Sequence, residues 1–192
     1  PRVKAAEFIG RDAYLAARFE GADEPRLEGV SAMVESALEH CRMLDDIGFE
    51  RYVVSLKDSD PRKVIAGNER FAAARPDVPL HLGVTEAGDG QYARVKSTAG
   101  IATLLAEGIG DTIRVSLSED PVNELPVCYE ILQALGLRKT QVEFIACPSC
   151  GRAEIDVYKI AAEAQAAFAD KQLPLQVAVM GCVVNGPGEA RD

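Results

Sequence analysis

The sequence predicts an α/β protein with parallel strands. Five short apolar segments rich in β-branched residues alternate with helical patterns that carry one apolar face. The segments start roughly 30 residues apart, which is the length of one β–α–β unit. Strands joined by right-handed crossovers of this kind form either an open doubly wound sheet or part of a (β/α)8 barrel, and the spacing is compatible with both.

The individual strands and helices follow from local patterns. Strands are predicted at residues 52–56, 80–84, 112–117, 142–146 and 175–180. The first helix is predicted from Ser31, where an apolar stripe begins, to a stop at Gly48. The second starts at Asp60 and Pro61, because Asp caps a helix and Pro is favoured in the first turn. Further helices are predicted at residues 96–107, 121–135 and 152–168, the first two of them closed by glycine.

Composition excludes several classes of protein. The 192 residues carry a formal net charge of -9 and no run of Lys or Arg, which argues against a nucleic-acid binder. No uninterrupted apolar stretch reaches the roughly 20 residues that a membrane span needs. Five cysteines, an odd number, favour thiols used as ligands in a reducing compartment over a disulfide framework. We therefore expect a cytoplasmic protein without a nucleic-acid or membrane partner.

Three of the cysteines lie in two loops rich in Gly and Pro. Cys147 and Cys150 form a Cys-x-x-Cys step that turns both sulfurs to one side, and Cys182 follows after one further helix and strand. Glu189 supplies an oxygen that would complete four-fold coordination. The pattern favours an iron–sulfur centre, because thiolates are the main ligands of such centres and backbone N–H groups approach them. Zinc and a pair of inert thiols remain open.

Polar side chains follow the strands at the edge where ligands bind in parallel α/β folds. Lys57 ends the first strand, and Arg114 and Ser116 share one face of the third because they lie two residues apart. A Lys, an Arg and a hydroxyl at one edge suit an anion, most often phosphate. The alternative is that the two cations only balance nearby acidic residues.

Glu86 follows the second strand, directly before Ala87 and Gly88. We expect its carboxyl to point into the mouth of the sheet, where partial burial would raise its pKa and make it a proton donor. A solvated loop carboxylate is the alternative. His81 lies inside an apolar strand and is expected to be a core histidine. Cys41 and Cys128 occupy apolar positions of helical patterns, so both are expected to pack in the interior.

Four motifs resemble those of the 4-hydroxy-3-methylbut-2-enyl diphosphate synthases, iron–sulfur enzymes of the methylerythritol phosphate route to isoprenoids. Segments 147–152, CPSCGR, and 181–189, GCVVNGPGE, resemble the two cluster motifs of that family. Segments 80–88, LHLGVTEAG, and 108–117, GIGDTIRVSL, resemble its barrel motifs. The likeness runs from about Ser31 to Glu189, and residues 1–30 have no place in it.

The resemblance implies the C-terminal part of a TIM (β/α)8 barrel over residues 1–138, the substrate domain, followed by a small α/β domain over residues 139–192 that holds a [4Fe–4S] cluster. It also implies the roles of the site residues. The implied cluster ligands are Cys147, Cys150, Cys182 and Glu189. The implied active-site groups are the carboxylate of Glu86, the diphosphate-binding residues Lys57, Arg114 and Ser116, and Asn185 beside the substrate.

The implied reaction is the reductive ring opening and dehydration of 2-C-methyl-D-erythritol 2,4-cyclodiphosphate. Ferredoxin or flavodoxin would supply the electrons, and the enzyme would be a homodimer. Two other functions stay open: a zinc-stapled α/β module without a redox role, and a simple iron–sulfur electron-transfer protein. The chain departs from the family at Pro1 and Asp192, because early barrel strands and a tail are missing. We therefore expect an internal fragment that is inactive alone.

Overall fold

The computed structural model describes residues 27–169, 171, 173–184 and 186. Its helices are α1 (Val30–Asp46), α2 (Pro61–Ala74), α3 (Gly90–Ala106), a 3-10 turn (Pro121–Asn123), α4 (Glu124–Ala134) and α5 (Val157–Phe168). Its strands are β1 (His81–Leu82), β2 (Thr112–Ile113), β3 (Glu143–Ala146) and β4 (Gln176–Val179). The chain divides into two units between Leu135 and Gly136. Among the described residues, no helix has the length and apolarity to cross a membrane.

The strands pair in parallel, as the alternating pattern predicts. In the first unit β1 pairs with β2, and His81 lies opposite Thr112. A single parallel bridge between Val54 and Leu80 adds the preceding segment. In the second unit β3 pairs with β4, from Glu143 opposite Gln176 to Ala146 opposite Val179. The predicted α/β class with parallel strands is confirmed in both units.

The predicted strand at residues 52–56 is wrong in extent, because only Val54 pairs with Leu80. The ladder cannot extend backwards, since its next donor would be the N–H of Pro79, and proline has none. In the forward direction, side chains satisfy the carbonyls that the ladder would use. The Ser55 hydroxyl donates to the His81 carbonyl (2.9 Å), and Asn68 Nδ2 donates to the Leu56 carbonyl (3.1 Å).

The predicted strands at residues 80–84 and 112–117 are also longer than β1 and β2. One further backbone bond, from the Arg114 N–H to the Leu82 carbonyl (2.8 Å), continues the pairing beyond β2. The residues that follow β1 and β2 nevertheless remain extended, and their side chains alternate between buried and exposed. Val84, Val115 and Leu117 are buried, whereas Arg114 is exposed. The two faces of the predicted strands are therefore retained, although the ladder is short.

Helix α3 begins six residues earlier than the predicted segment 96–107. The carboxylate of Glu119, which is distant from the helix in sequence, explains this earlier start. It accepts a hydrogen bond from the Gly90 N–H (2.8 Å) and pairs with Arg94 Nη2 (2.7 Å). A carboxylate at a helix N-terminus satisfies free N–H groups and complements the helix dipole. Those contacts also hold the pKa of Glu119 below its ordinary value, the Gly90 bond contributing most.

The core of the first unit lies between the helices and one face of the strands. Its fully buried side chains include Phe71 from α2, Leu82 from β1, and Ile101 and Leu104 from α3. Asn68, also fully buried, ties α2 to the segment of Leu56 through its amide. Cys41 is buried in this core and Cys128 is half-buried against it, which confirms the predicted packing roles. Burial raises the pKa of both thiols, so they are poor metal ligands.

In the second unit α5 packs against both β3 and β4. Phe144 of β3 meets Phe168 of α5 edge to face, with ring centroids 6.2 Å apart. The predicted helix at residues 152–168 starts too early, because α5 begins at Val157. Asp156 caps it by accepting the Lys159 N–H (3.1 Å). Residues 152–155 belong instead to a loop that backbone hydrogen bonds from Ala153 and Glu154 hold in place.

Candidate functional site

The second unit contains a pocket lined by all three cysteines of the two motifs. The pocket has a volume of about 190 Å³, and its lining residues are Cys147, Pro148, Cys150, Arg152, Ala153, Gly181 and Cys182. We call it the thiol pocket. Cys147 and Cys182 are half-buried and Cys150 is exposed. The sequence therefore identified correctly three side chains that the fold brings to one place.

Parallel pairing of β3 and β4 brings the two cysteine loops together. The Cys147 N–H bonds the Val179 carbonyl (3.1 Å), which continues the ladder by one residue. The Gly181 N–H then donates to Cys147 Sγ (3.2 Å). A Cβ on Gly181 would lie 2.6 Å from Val157 Cγ2 and 3.1 Å from Ala153 Cβ. Only glycine allows the loop after β4 to approach this closely.

Arg152 is the polar partner of the Cys150 thiol. The pKa of the Cys150 thiol lies below its ordinary value of 9.0, because first the backbone N–H and then the guanidinium of Arg152 favour the thiolate. Two backbone bonds fix the loop that carries Arg152. They join the Ala153 N–H to the Cys150 carbonyl (2.9 Å) and the Glu154 N–H to the Gly181 carbonyl (2.8 Å). The thiol is thus held where its thiolate is stabilised.

The size of the thiol pocket bears on what it can hold. A water molecule takes about 30 Å³ of liquid volume, so about 190 Å³ exceeds the space of a single ion several times. Within the residues that the structure describes, no three His, Cys, Asp or Glu side chains converge tightly enough to enclose one metal ion. A pocket of this volume lined by three thiols has room for a group of several atoms.

The first unit carries the predicted cations side by side. The Lys57 side chain lies directly against Gly83. A Cβ added to Gly83 would lie 3.2 Å from Lys57 Nζ and 2.8 Å from the Arg114 carbonyl oxygen. Partial burial, and then the charge of Arg114, lower the pKa of Lys57. Arg114 Nη2 donates to the Ser116 hydroxyl (3.2 Å). Lys57, Arg114 and Ser116, which the sequence grouped, are therefore neighbours, and we call them with His81 the cationic face.

Neither cation of this face has an acidic partner in the described part of the chain. The carboxylate of Asp58 accepts the Asp60 N–H (2.8 Å), and that of Asp111 accepts the Leu80 N–H (2.8 Å). Both acids are therefore engaged with backbone, and the interpretation of Lys57 and Arg114 as mere charge balance has no support in the contacts. Two cations that have no acidic partner among the described residues, beside a hydroxyl, are an arrangement suited to an anion.

His81 is the residue of this face that the sequence reasoning undervalued. It is half-buried, and its Nδ1 lies 2.7 Å from the Thr112 hydroxyl. Burial, then the charges of Lys57 and Arg114, lower its pKa below the ordinary 6.5. The signal was the period of two along the strand, which puts His81 and Gly83 on one face and Leu82 on the other. His81 therefore belongs to the anion site's surroundings and not to the apolar core.

Glu86 does not have the predicted partial burial. Its side chain is exposed, because it stands in a turn after the second strand with no element packed over it in the described chain. Its backbone has φ 50°, in the left-handed region that non-glycine residues rarely occupy. The one other described non-glycine residue with positive φ is Ser149 (φ 54°), between the two cysteines of the first motif. Strain of this kind concentrates at functional sites.

Two of the predicted site residues, Asn185 and Glu189, lie outside the described residues. The structure also adds two groups to the sequence-based set. They are the Gly181 N–H, which donates to Cys147 Sγ, and Arg152, which lines the thiol pocket with the three cysteines. Both belong to motifs that the sequence singled out, but a hydrogen bond between the loops depends on strand pairing and cannot be read from spacing.

Replacing Gly181 by Ala tests the close approach of the two loops. The added methyl would overlap Val157 and Ala153, so we expect the free energy of unfolding, measured in urea, to fall by about 1–3 kcal/mol. Gly151→Ala is the matched control, because a Cβ there meets nothing within 4 Å. It should stay within about 0.5 kcal/mol of wild type. Equal losses for both variants would contradict the packing argument.

The imidazole of His81 reports on the cationic face. By NMR its pKa should lie below 6.5, and inorganic diphosphate should raise it by offsetting the charges of Lys57 and Arg114. The pKa of His81 is lower in the folded chain than in the unfolded chain, so on acidification the unfolded chain binds the imidazole proton first. The contribution of His81 to the free energy of unfolding should therefore fall as pH drops from 6.5 toward the folded pKa. The other histidine, His40 on α1, is the control whose signal should not respond. An unchanged His81 titration at saturating diphosphate would refute an anion site here.

Comparison with known proteins places both units in one family. Residues 14–129 match the family described as the GcpE TIM-barrel domain, and residues 143–192 match the GcpE protein C-terminal domain. The first match begins at residue 14, well before Ser31, so the extent of likeness inferred from motifs was too short. It shows that much of the segment before Ser31 belongs to the family as well.

Curated relatives agree with these matches. The chain is 56% identical over 164 residues to the 4-hydroxy-3-methylbut-2-en-1-yl diphosphate synthase (ferredoxin) of Synechococcus elongatus. It is 57% and 58% identical over 165 residues to proteins of the same name from Cyanothece sp. and Rippkaea orientalis. Each comparison covers 83% of this chain and 40% of the relative, so the chain spans less than half the length of these relatives. The chain belongs to the GcpE family.

Proposed function

We propose that this chain is part of an enzyme that opens 2-C-methyl-D-erythritol 2,4-cyclodiphosphate by reduction and dehydration, giving 4-hydroxy-3-methylbut-2-enyl diphosphate for isoprenoid synthesis. One observation carries the proposal: in a chain of the GcpE family, the three motif cysteines line a single pocket. The relatives' printed name, a synthase of this product with ferredoxin, supports both the reaction class and its reductive character.

The cofactor of the proposal is a [4Fe–4S] cluster held by Cys147, Cys150 and Cys182, with Glu189 as the fourth ligand. Two features of the thiol pocket support it over zinc. Its volume leaves room for several atoms, and the Gly181 N–H donates to a sulfur as backbone groups do at iron–sulfur centres. When bound, the cluster would deliver electrons one at a time.

The remaining residues of the proposal act on the substrate. Lys57, Arg114 and Ser116 would bind a diphosphate, which suits two cations that lack acidic partners in the described part of the chain and lie beside a hydroxyl. Glu86 would hold the proton that lets hydroxide leave as water, and its exposed carboxyl is open to a ligand. Asn185 would lie beside the substrate. The left-handed backbone of Glu86 supports a functional role for it, since such strain needs a reason to persist.

The organisation of the enzyme is part of the same proposal. Residues 1–138 would form part of a substrate-binding TIM barrel and residues 139–192 the cluster domain. Ferredoxin is the favoured electron donor, because the relatives' name contains it, and flavodoxin is the alternative. A homodimer and a cytoplasmic location complete the proposal; the first comes from the family resemblance and the second from the unpaired cysteines.

Replacing Glu86 by Gln tests the reaction in a full-length enzyme that contains this segment. With the cyclodiphosphate and reduced ferredoxin, we expect turnover to fall by about 10²–10⁴-fold, the usual effect of losing a proton donor. The absorbance of the cluster should be unchanged, because Glu86 is not one of its ligands. Glu35→Gln, an exposed substitution on α1, is the matched control and should keep wild-type turnover. Undiminished turnover of Glu86→Gln would refute the role, and a wild-type enzyme inert toward the cyclodiphosphate would refute the reaction.

A further inference from the structure

Arg152 stands apart from the other residues of the thiol pocket. Among the described lining residues it is the one with a charged side chain. It lines this pocket together with Cys147, Cys150 and Cys182, and its presence is the main cause that holds the pKa of Cys150 below its ordinary value. The pocket therefore presents one positive charge beside the sulfurs that would bind a metal group.

The acids of the same loop do not neutralise this charge. Glu154 and Asp156 follow Arg152 within four residues, yet the described residues show no ion pair between Arg152 and either of them. The Asp156 carboxylate instead accepts the Lys159 N–H at the start of α5 (3.1 Å). In a chain of net charge -9, an arginine that lines a pocket of three cysteines and has no acidic partner among the described residues is not a simple solubilising residue.

We propose that Arg152 is a positioning residue that raises the reduction potential of the metal centre in the thiol pocket, an inference that rests on the iron–sulfur centre proposed above. A cluster bound by three thiolates gains one more negative charge when it takes up an electron. A cation that lines the same pocket stabilises that reduced state more than the oxidised state.

The proposal is specific about charge, and three variants of the anaerobically reconstituted chain separate charge from shape. Arg152→Gln removes the charge and keeps a polar side chain, Arg152→Lys keeps the charge, and Lys159→Gln removes one charge from an exposed position of α5 outside the pocket. The measurement is the midpoint potential by redox titration followed by visible absorbance and EPR. Iron and sulfide contents are measured alongside, so that loading is known for each variant.

We expect Arg152→Gln to have a more negative midpoint potential than wild type, with a smaller fraction of its clusters reduced at any fixed potential. Arg152→Lys should recover most of the difference, and Lys159→Gln should match wild type because Lys159 does not line the thiol pocket and is paired with Glu163. If Arg152→Gln and wild type load equally and share one potential, the inference is wrong. It is also wrong if Arg152→Lys is as negative as Arg152→Gln.

Arg152→His provides the second variant in case Arg152→Gln does not load. Its potential should approach that of wild type as pH falls through about 6.5, where the imidazole gains its charge, and a constant difference across that pH range would contradict the proposal. A wild-type chain that takes up no iron would refute the proposed iron–sulfur centre instead. The two failures are therefore distinguishable.

Discussion

Parallel pairing of short strands is the constraint on which both candidate sites depend. In the second unit the register of β3 against β4 brings the end of one strand beside the end of the other, and the Gly181 N–H meets Cys147 Sγ. In the first unit the register of β1 against β2 places Gly83 beside the Arg114 backbone, with Lys57 across both. A shift of one residue in either pair would turn these side chains to the opposite face.

The two candidate sites differ in the kind of charge that they bring together, and each contains few charged groups. Within the described residues, Lys57 and Arg114 of the cationic face have no acidic partner and the pKa of Lys57 is lowered, which suits the anion site proposed above. The thiol pocket gathers three groups that become negative when they bind metal and supplies one guanidinium. Near both sites, the carboxylates of Asp111 and Asp156 accept backbone N–H groups.

Local patterns were sufficient to predict the strand–helix alternation, and the alternation in turn predicts parallel pairing, which brings the two cysteine loops to one edge. Contacts between distant segments were not predictable. Glu119 accepts the Gly90 N–H, so that α3 begins at Gly90. Hydrogen bonds from the side chains of Ser55 and Asn68 take the place of backbone pairing beyond the Val54–Leu80 bridge. The exposure of Glu86 has a similar origin, since burial depends on what packs over a turn. The pattern of period two would have placed His81 correctly, had it been weighed above apolar neighbours.

The central claim is that the thiol pocket holds an iron–sulfur cluster and not a single zinc ion. The most direct measurement is the iron, sulfide and zinc content of the anaerobically purified chain, together with its visible spectrum. The account predicts a brown protein with about four irons and four sulfides per chain, as a cubane cluster requires. A colourless protein with about one zinc per chain and no sulfide would contradict it, and would make the pocket a structural metal site.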